Sequence, residues 1–113
     1  MKSYTDITQS KKLADILPPE SADMCWGICD ETLKWKTFPY LMPWRDYTAK
    51  EHYLPCWSFA TLFDILPAGK VLLHDKDNRG YKCICHNIDS YYFSNPIDTC
   101  VDIIIKLHEQ KLI

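Results

Sequence analysis

Glycine is scarce in this chain: Gly27, Gly69 and Gly80 are the only three in 113 residues. That is too few for the glycine-rich backbone loops that cradle phosphates and dinucleotides. The sequence also has no serine elbow of the G-x-S-x-G kind and no zinc-protease helix, so the common enzyme signatures are absent. An excess of one charge is missing as well. Thirteen Lys and Arg against fifteen Asp and Glu leave a formal net charge of −2, which provides no general drive toward nucleic acid or an anionic membrane. No apolar run approaches the roughly 18 residues of a spanning helix. Residues 1–8 hold no apolar run of signal-peptide length, so the expectation is a cytoplasmic protein with reduced thiols and no membrane contact.

What the chain does have is an ordinary globular composition. Hydrophobic residues make up 47% and charged residues 25%, which argues against disorder and against a coiled coil. The length suits one domain covering residues 1–113. Its organising stretch is Leu54-Pro55-Cys56-Trp57-Ser58, followed by Phe59, Leu62, Phe63 and Leu66 at helical spacing and then Pro67. Ser58 is the expected N-cap. A helix over about 58–66 is too short to persist alone, so packing must hold it. Asp6 and Gln9 have the spacing of a capping box, which predicts a helix over about 7–17 with Lys11 and Lys12 toward water. Asn95-Pro96-Ile97-Asp98 opens a third helix over about 96–110, with Ile97, Cys100, Val101, Ile104 and His108 on one face.

Alternation over residues 22–29 predicts a strand, with Gly27 as a bulge or a close approach. Residues 37–44 carry two prolines and read as an edge or extended segment, and 46–52 as a loop. The clearest hairpin lies near residues 70–86, turning at 76–79, with Gly80 able to take positive φ. Residues 89–94 follow as a third strand or an extended lead into the last helix. The predicted class is therefore α+β, a small antiparallel sheet packed by about three helices.

Candidate sites are few. Cys25, Cys29, Cys83, Cys85 and His86 hold enough sulfur and nitrogen for a zinc site, but Cys83-Ile84-Cys85 lacks the knuckle turn of a finger. Buried thiols are the plainer reading, with no metal or other cofactor. Cys56 lies just before a helix N-terminus, where a thiol pKa can fall, yet nothing brings His52, His74, His86 or His108 to it. Asp75, Asp77 and Asn78 open like a calcium loop without its closing Glu, and a hairpin turn explains them. Aromatic residues reach 13%. Many fall in the proline-interrupted middle, which makes Trp35, Tyr40, Trp44 and Tyr47 the candidate contact residues. With Lys34, Lys36 and Arg45 nearby, they could also stack on single-stranded nucleic acid. Trp26 and Trp57 are assigned to the core, and Tyr92 is left open.

Gln9-Ser10-Lys11-Lys12-Leu13, Ala22-Asp23-Met24, Leu54-Pro55-Cys56-Trp57-Ser58 and Asn95-Pro96-Ile97-Asp98-Thr99-Cys100-Val101 together resemble a group of small bacterial proteins of prophages and other mobile elements. The resemblance touches most of the chain and implies a genomic setting, with no activity or catalytic residue attached. The leading expectation is a non-enzymatic cytoplasmic accessory or interaction protein whose partner is a protein, with self-association as a variant. The alternatives are a thiol- or metal-dependent enzyme using Cys56 or the Cys83, Cys85 and His86 cluster, and a single-stranded nucleic-acid binder.

Overall fold

The computed structural model describes residues 2–29, 34–35, 53–75, 77 and 79–113, without the side chains of Ile28, Cys29, Lys34 and Trp35. Its elements run α1 (Ile7–Ala14), a 3-10 turn (Pro19–Ser21), β1 (Met24–Cys29), β2 (Lys34–Trp35), β3 (Tyr53–Cys56), α2 (Phe59–Ile65), β4 (Val71–Asp75), β5 (Gly80–Cys85), β6 (Ile88–Asp89) and α3 (Pro96–Glu109). The class is the expected α+β. The strands divide into two antiparallel sheets, ordered β2-β1-β3 and β4-β5-β6. The expected segment 37–44, the loop 46–52 and the contact residues Tyr40, Trp44 and Tyr47 lie outside the described residues.

Each helix begins where a local side chain satisfies its free N–H groups. Asp6 accepts from Gln9 N at 2.7 Å while Gln9 Oε1 accepts from Asp6 N at 3.1 Å, a complete capping box. Ser58 Oγ accepts from Thr61 N, and Asn95 Oδ1 from Asp98 N ahead of Pro96. A cap contributes about 1 kcal/mol, whereas a fully buried aliphatic side chain contributes about 1.5–3 kcal/mol. Packing therefore decides the fold, and α3 supplies a larger share of it than any other described element. Ile97, Cys100, Ile103, Ile104 and Leu107 are fully buried, and α3 touches α1, α2, β5 and β6. His108 falls off this stripe into the last turn and is exposed, contrary to the sequence expectation.

Helix α1 ends at Ala14, three residues early, because Ile16 N and Leu17 N both close on Leu13 O in a tight turn. That turn still buries Leu13 and Leu17 against the core. Gly27 pairs regularly with Tyr53, so no bulge forms there. Residues 53–56 form a strand the sequence did not suggest. They hold Pro55 opposite Cys25, which an edge strand tolerates because one side of it needs no ladder donor. The N-terminal segment lies beside the next turn of chain, with Thr5 N on Trp57 O and Phe59 N on Ser3 O.

Lys2 Nζ ties this segment down, lying 2.9 Å from Asp6 and 3.0 Å from Asp98, and Gln9 Nε2 donates to the same Asp98 oxygen. Partial burial opposes ionisation of Asp98, but the bonds from Lys2, Gln9 and Asn95 outweigh it and hold the carboxyl below its ordinary range. Asp6 is lowered against burial in the same way, by Gln9 and Lys2. A carboxyl lowered on folding stabilises above its unfolded pKa, about 4, and loses that contribution as pH falls through the folded value. The urea midpoint is therefore expected to drop below about pH 4. In Asp98→Asn that acid limb should be shallower, and an unchanged limb would place the effect elsewhere.

Candidate functional site

The five described thiols are inside. Cys25, Cys56, Cys83, Cys85 and Cys100 are all fully buried. Thr5 surrounds Cys56: its Oγ1 lies 3.6 Å from Cys56 Sγ, which itself donates to Thr5 O at 3.4 Å. The same Thr5 Oγ1 shares a 2.7 Å hydrogen bond with Ser10 and accepts from Trp57 N. Burial pushes the Cys56 thiol up to about 11, and its hydrogen bonds to Thr5 and Ser10 offset only part of that. Cys83, Cys85 and Cys100 line the contact between β5 and α3; burial raises all three, Cys83 to about 11 and Cys100 to about 12. A thiol in that range is protonated at neutral pH and is a poor nucleophile.

Alkylation at pH 8 is accordingly expected to leave Cys56, Cys83, Cys85 and Cys100 unmodified for hours in folded protein and to label them within minutes in urea. Peptide mass mapping reads the result, and Cys56 reacting at the rate of an open thiol would reverse the conclusion. His86, in the β5–β6 turn at φ 51, is exposed, whereas Cys85 before it is buried. Among the described residues no three of His, Cys, Asp and Glu gather as a metal-holding group.

A cavity of about 280 Å³ lies at the N-terminal segment, lined by Lys2, Ser3, Tyr4, Asp6 and Trp26. Its charged groups and the Trp26 indole are already engaged. Lys2 holds two carboxylates, and Trp26 Nε1 donates to Thr5 O. With a volume at the small end for a ligand site and a donor set turned inward, it offers a small molecule little to hold.

The β4-β5-β6 sheet is different. In an antiparallel sheet opposed residues share a face and alternate along each strand. Leu72, Cys83, Cys85 and Ile88 take the inner face against the core, with α3 behind them. The outer face carries Val71, Leu73, Lys82 and Ile84, and Val71 and Leu73 are 45% and 44% exposed. Tyr92, also exposed, lies with Arg79 and Lys82 at 4.9 and 5.4 Å from its ring centre. Around the corner Tyr91 lies under Lys106 at 3.8 Å.

Each of these cations has a carboxylate: Arg79 with Asp75, Lys82 with Asp89, Lys106 with Asp102. The patch is thus apolar and aromatic with locally balanced charge. Cations already neutralised gain little from phosphate, whereas Tyr and Arg in a dry setting are the usual anchors of protein contacts.

Of the residues singled out in the sequence, Trp35 has its backbone in β2, paired with Ile28, and Trp26 and Trp57 are core as expected. Tyr40, Trp44, Tyr47 and the side chain of Trp35 lie outside the described residues. Val71 and Leu73 were missed because an apolar run such as Val71-Leu72-Leu73 reads as buried on both faces. Tyr91-Tyr92 was the available signal, an aromatic pair beyond the needs of a small core. Among the described residues no helix is long and apolar enough to cross a membrane. Compared with known proteins, the chain matches no family model, no curated protein and no solved structure.

Proposed function

We propose that this chain is a non-enzymatic interaction domain of the cytoplasm that holds a partner protein against the outer face of the β4-β5-β6 sheet. The observation that carries the reading is the neighbourhood of Val71, Leu73 and Tyr92: apolar side chains left in water beside an aromatic ring already gripped by two cations. Solvent exposure of such groups is costly unless a partner covers them. The buried thiols of Cys56, Cys83 and Cys100, protonated at neutral pH, support it from the other side, since each is a poor nucleophile. The balanced ion pairs weigh against nucleic acid. The resemblance to proteins of prophages and mobile elements adds the setting, an accessory role in a phage or integrated element.

The test is quantitative affinity capture from bacterial lysate with wild-type protein, Leu73→Ser and Tyr92→Ala. Both variants should lose the main captured protein at least tenfold while keeping the wild-type circular dichroism. Equal capture by all three would sink the reading.

A further inference from the structure

Strand β4 is an edge of its sheet, and its outer side is unpaired among the described residues. Natural edge strands are usually blunted by proline, an inward lysine, a bulge or a covering loop. Val71-Leu72-Leu73-His74-Asp75 contains neither proline nor lysine and pairs with β5 without a break. The direction of its free groups follows from β5. Cys83 exchanges hydrogen bonds with Ser90, and Tyr81 with Phe93, so the odd-numbered residues of β5 turn their N–H and C=O toward β6. Gly80, Lys82 and Ile84 must then bond β4 through Asp75, Leu73 and Val71. On β4 this leaves Leu72 and His74 with their backbone groups pointing out of the sheet.

We propose that this edge pairs with the β4 edge of a second copy of the chain, antiparallel about a two-fold axis at Leu72. The interaction reading above supplies the sheet, and this proposal names one partner for its edge. Three registers keep like faces together, centred on Val71, Leu72 or Leu73. Centring on Leu73 sets Val71 against Asp75 and Leu72 against His74. Centring on Val71 sets Leu72 against Lys70 and Leu73 against Gly69. Only the Leu72 register sets all three apolar side chains of the strand against apolar ones: Leu72 on Leu72, and Val71 on Leu73 twice.

In that register Leu72 and His74 meet Leu72 and Lys70 of the other copy as hydrogen-bonded pairs, about six bonds in all. Val71 and Leu73 become the closely spaced non-hydrogen-bonded pair, where side chains lie nearest and exposed apolar area is covered. Asp75 falls opposite Gly69, which has no side chain, so its ion pair with Arg79 survives. A net charge of −2 leaves little repulsion between copies. So short a ladder buries well under the roughly 1,000 Å² of a stable interface, which makes the dimer reversible and concentration-dependent.

Sedimentation of the full chain from 10 to about 500 μM is expected to show a shift from monomer toward dimer, consistent with so small an interface. Leu73→Lys should weaken the association at least tenfold without altering circular dichroism. The register is read by oxidation with oxidised glutathione: a mixture of Val71→Cys and Leu73→Cys proteins should cross-link several-fold more than either alone, above a wild-type control. A monomer throughout the range, an undiminished dimer in Leu73→Lys, or cross-linking of either variant mainly with itself overturns the proposal. Tyr92→Ala lies outside the ladder and should leave self-association unchanged, so failure here is distinguishable from failure of partner capture.

Discussion

Gly80→Ala is expected to destabilise the protein by about 3 kcal/mol or more, the sum of a left-handed backbone penalty of about 1–2 kcal/mol and a comparable overpacking cost. Gly80 sits at φ +95, where a β-carbon is strained, and that carbon would run into the backbone carbonyl of Phe93. The obstacle is rigid because Phe93 is bridged to Tyr81 by two backbone hydrogen bonds, at 2.7 and 3.0 Å. Gly69 provides the matched control. Its φ of +87 is nearly the same, yet nothing lies within 4 Å of an added β-carbon. Gly69→Ala should therefore show the backbone penalty alone, about 1 kcal/mol. Urea unfolding followed by circular dichroism separates the two, and equal losses would mean that the Phe93 carbonyl yields.

Trp57→Ala is the other large loss, about 3–5 kcal/mol for removing a buried aromatic side chain. Trp57 is fully buried, its indole N–H donates to Ser21 Oγ at 3.0 Å, and its backbone is held on both sides by Thr5. The alanine variant loses the ring and leaves a cavity in the core. Domains of this size are stable by about 5–15 kcal/mol, so the substitution removes a large share of the total and should lower the melting temperature markedly. Trp57→Phe keeps most of the volume and should lose about half as much. If thermal melts showed the two substitutions to be equivalent, the hydrogen bond to Ser21 rather than the ring would carry the effect.

Those losses fall in a region whose local grammar was readable. Asp6 with Gln9, Ser58, and Asn95 with Pro96 all mark helix starts, because a cap acts on backbone groups two or three residues away. The hairpin was readable for the same reason, its turn being local. The division into two sheets was not. Whether Leu54-Pro55-Cys56 pairs with Met24-Cys25-Trp26 depends on residues some thirty positions apart, and Pro55 argues locally against a strand. The exposed face was hidden by the same limit. Val71 and Leu72 are alike in sequence, and only α3, docking on one side of the sheet, makes one of them half-exposed and the other part of the core. Sequence alone could count the surplus aromatics without saying which would meet water.

The shared carboxylate of Asp98 also constrains time. Lys2 and Gln9 lie 96 and 89 positions before it, so this clasp cannot close until the start of α3 exists. During synthesis residues 2–9 leave the ribosome well before Asp98 is made, and a helix as short as α1 persists only once it is packed. Contacts of such long separation close late and slow the overall rate. The N-terminal segment's bonds to residues 57–59 can form earlier, so residues 2–9 are fastened in two stages, the Asp98 clasp last.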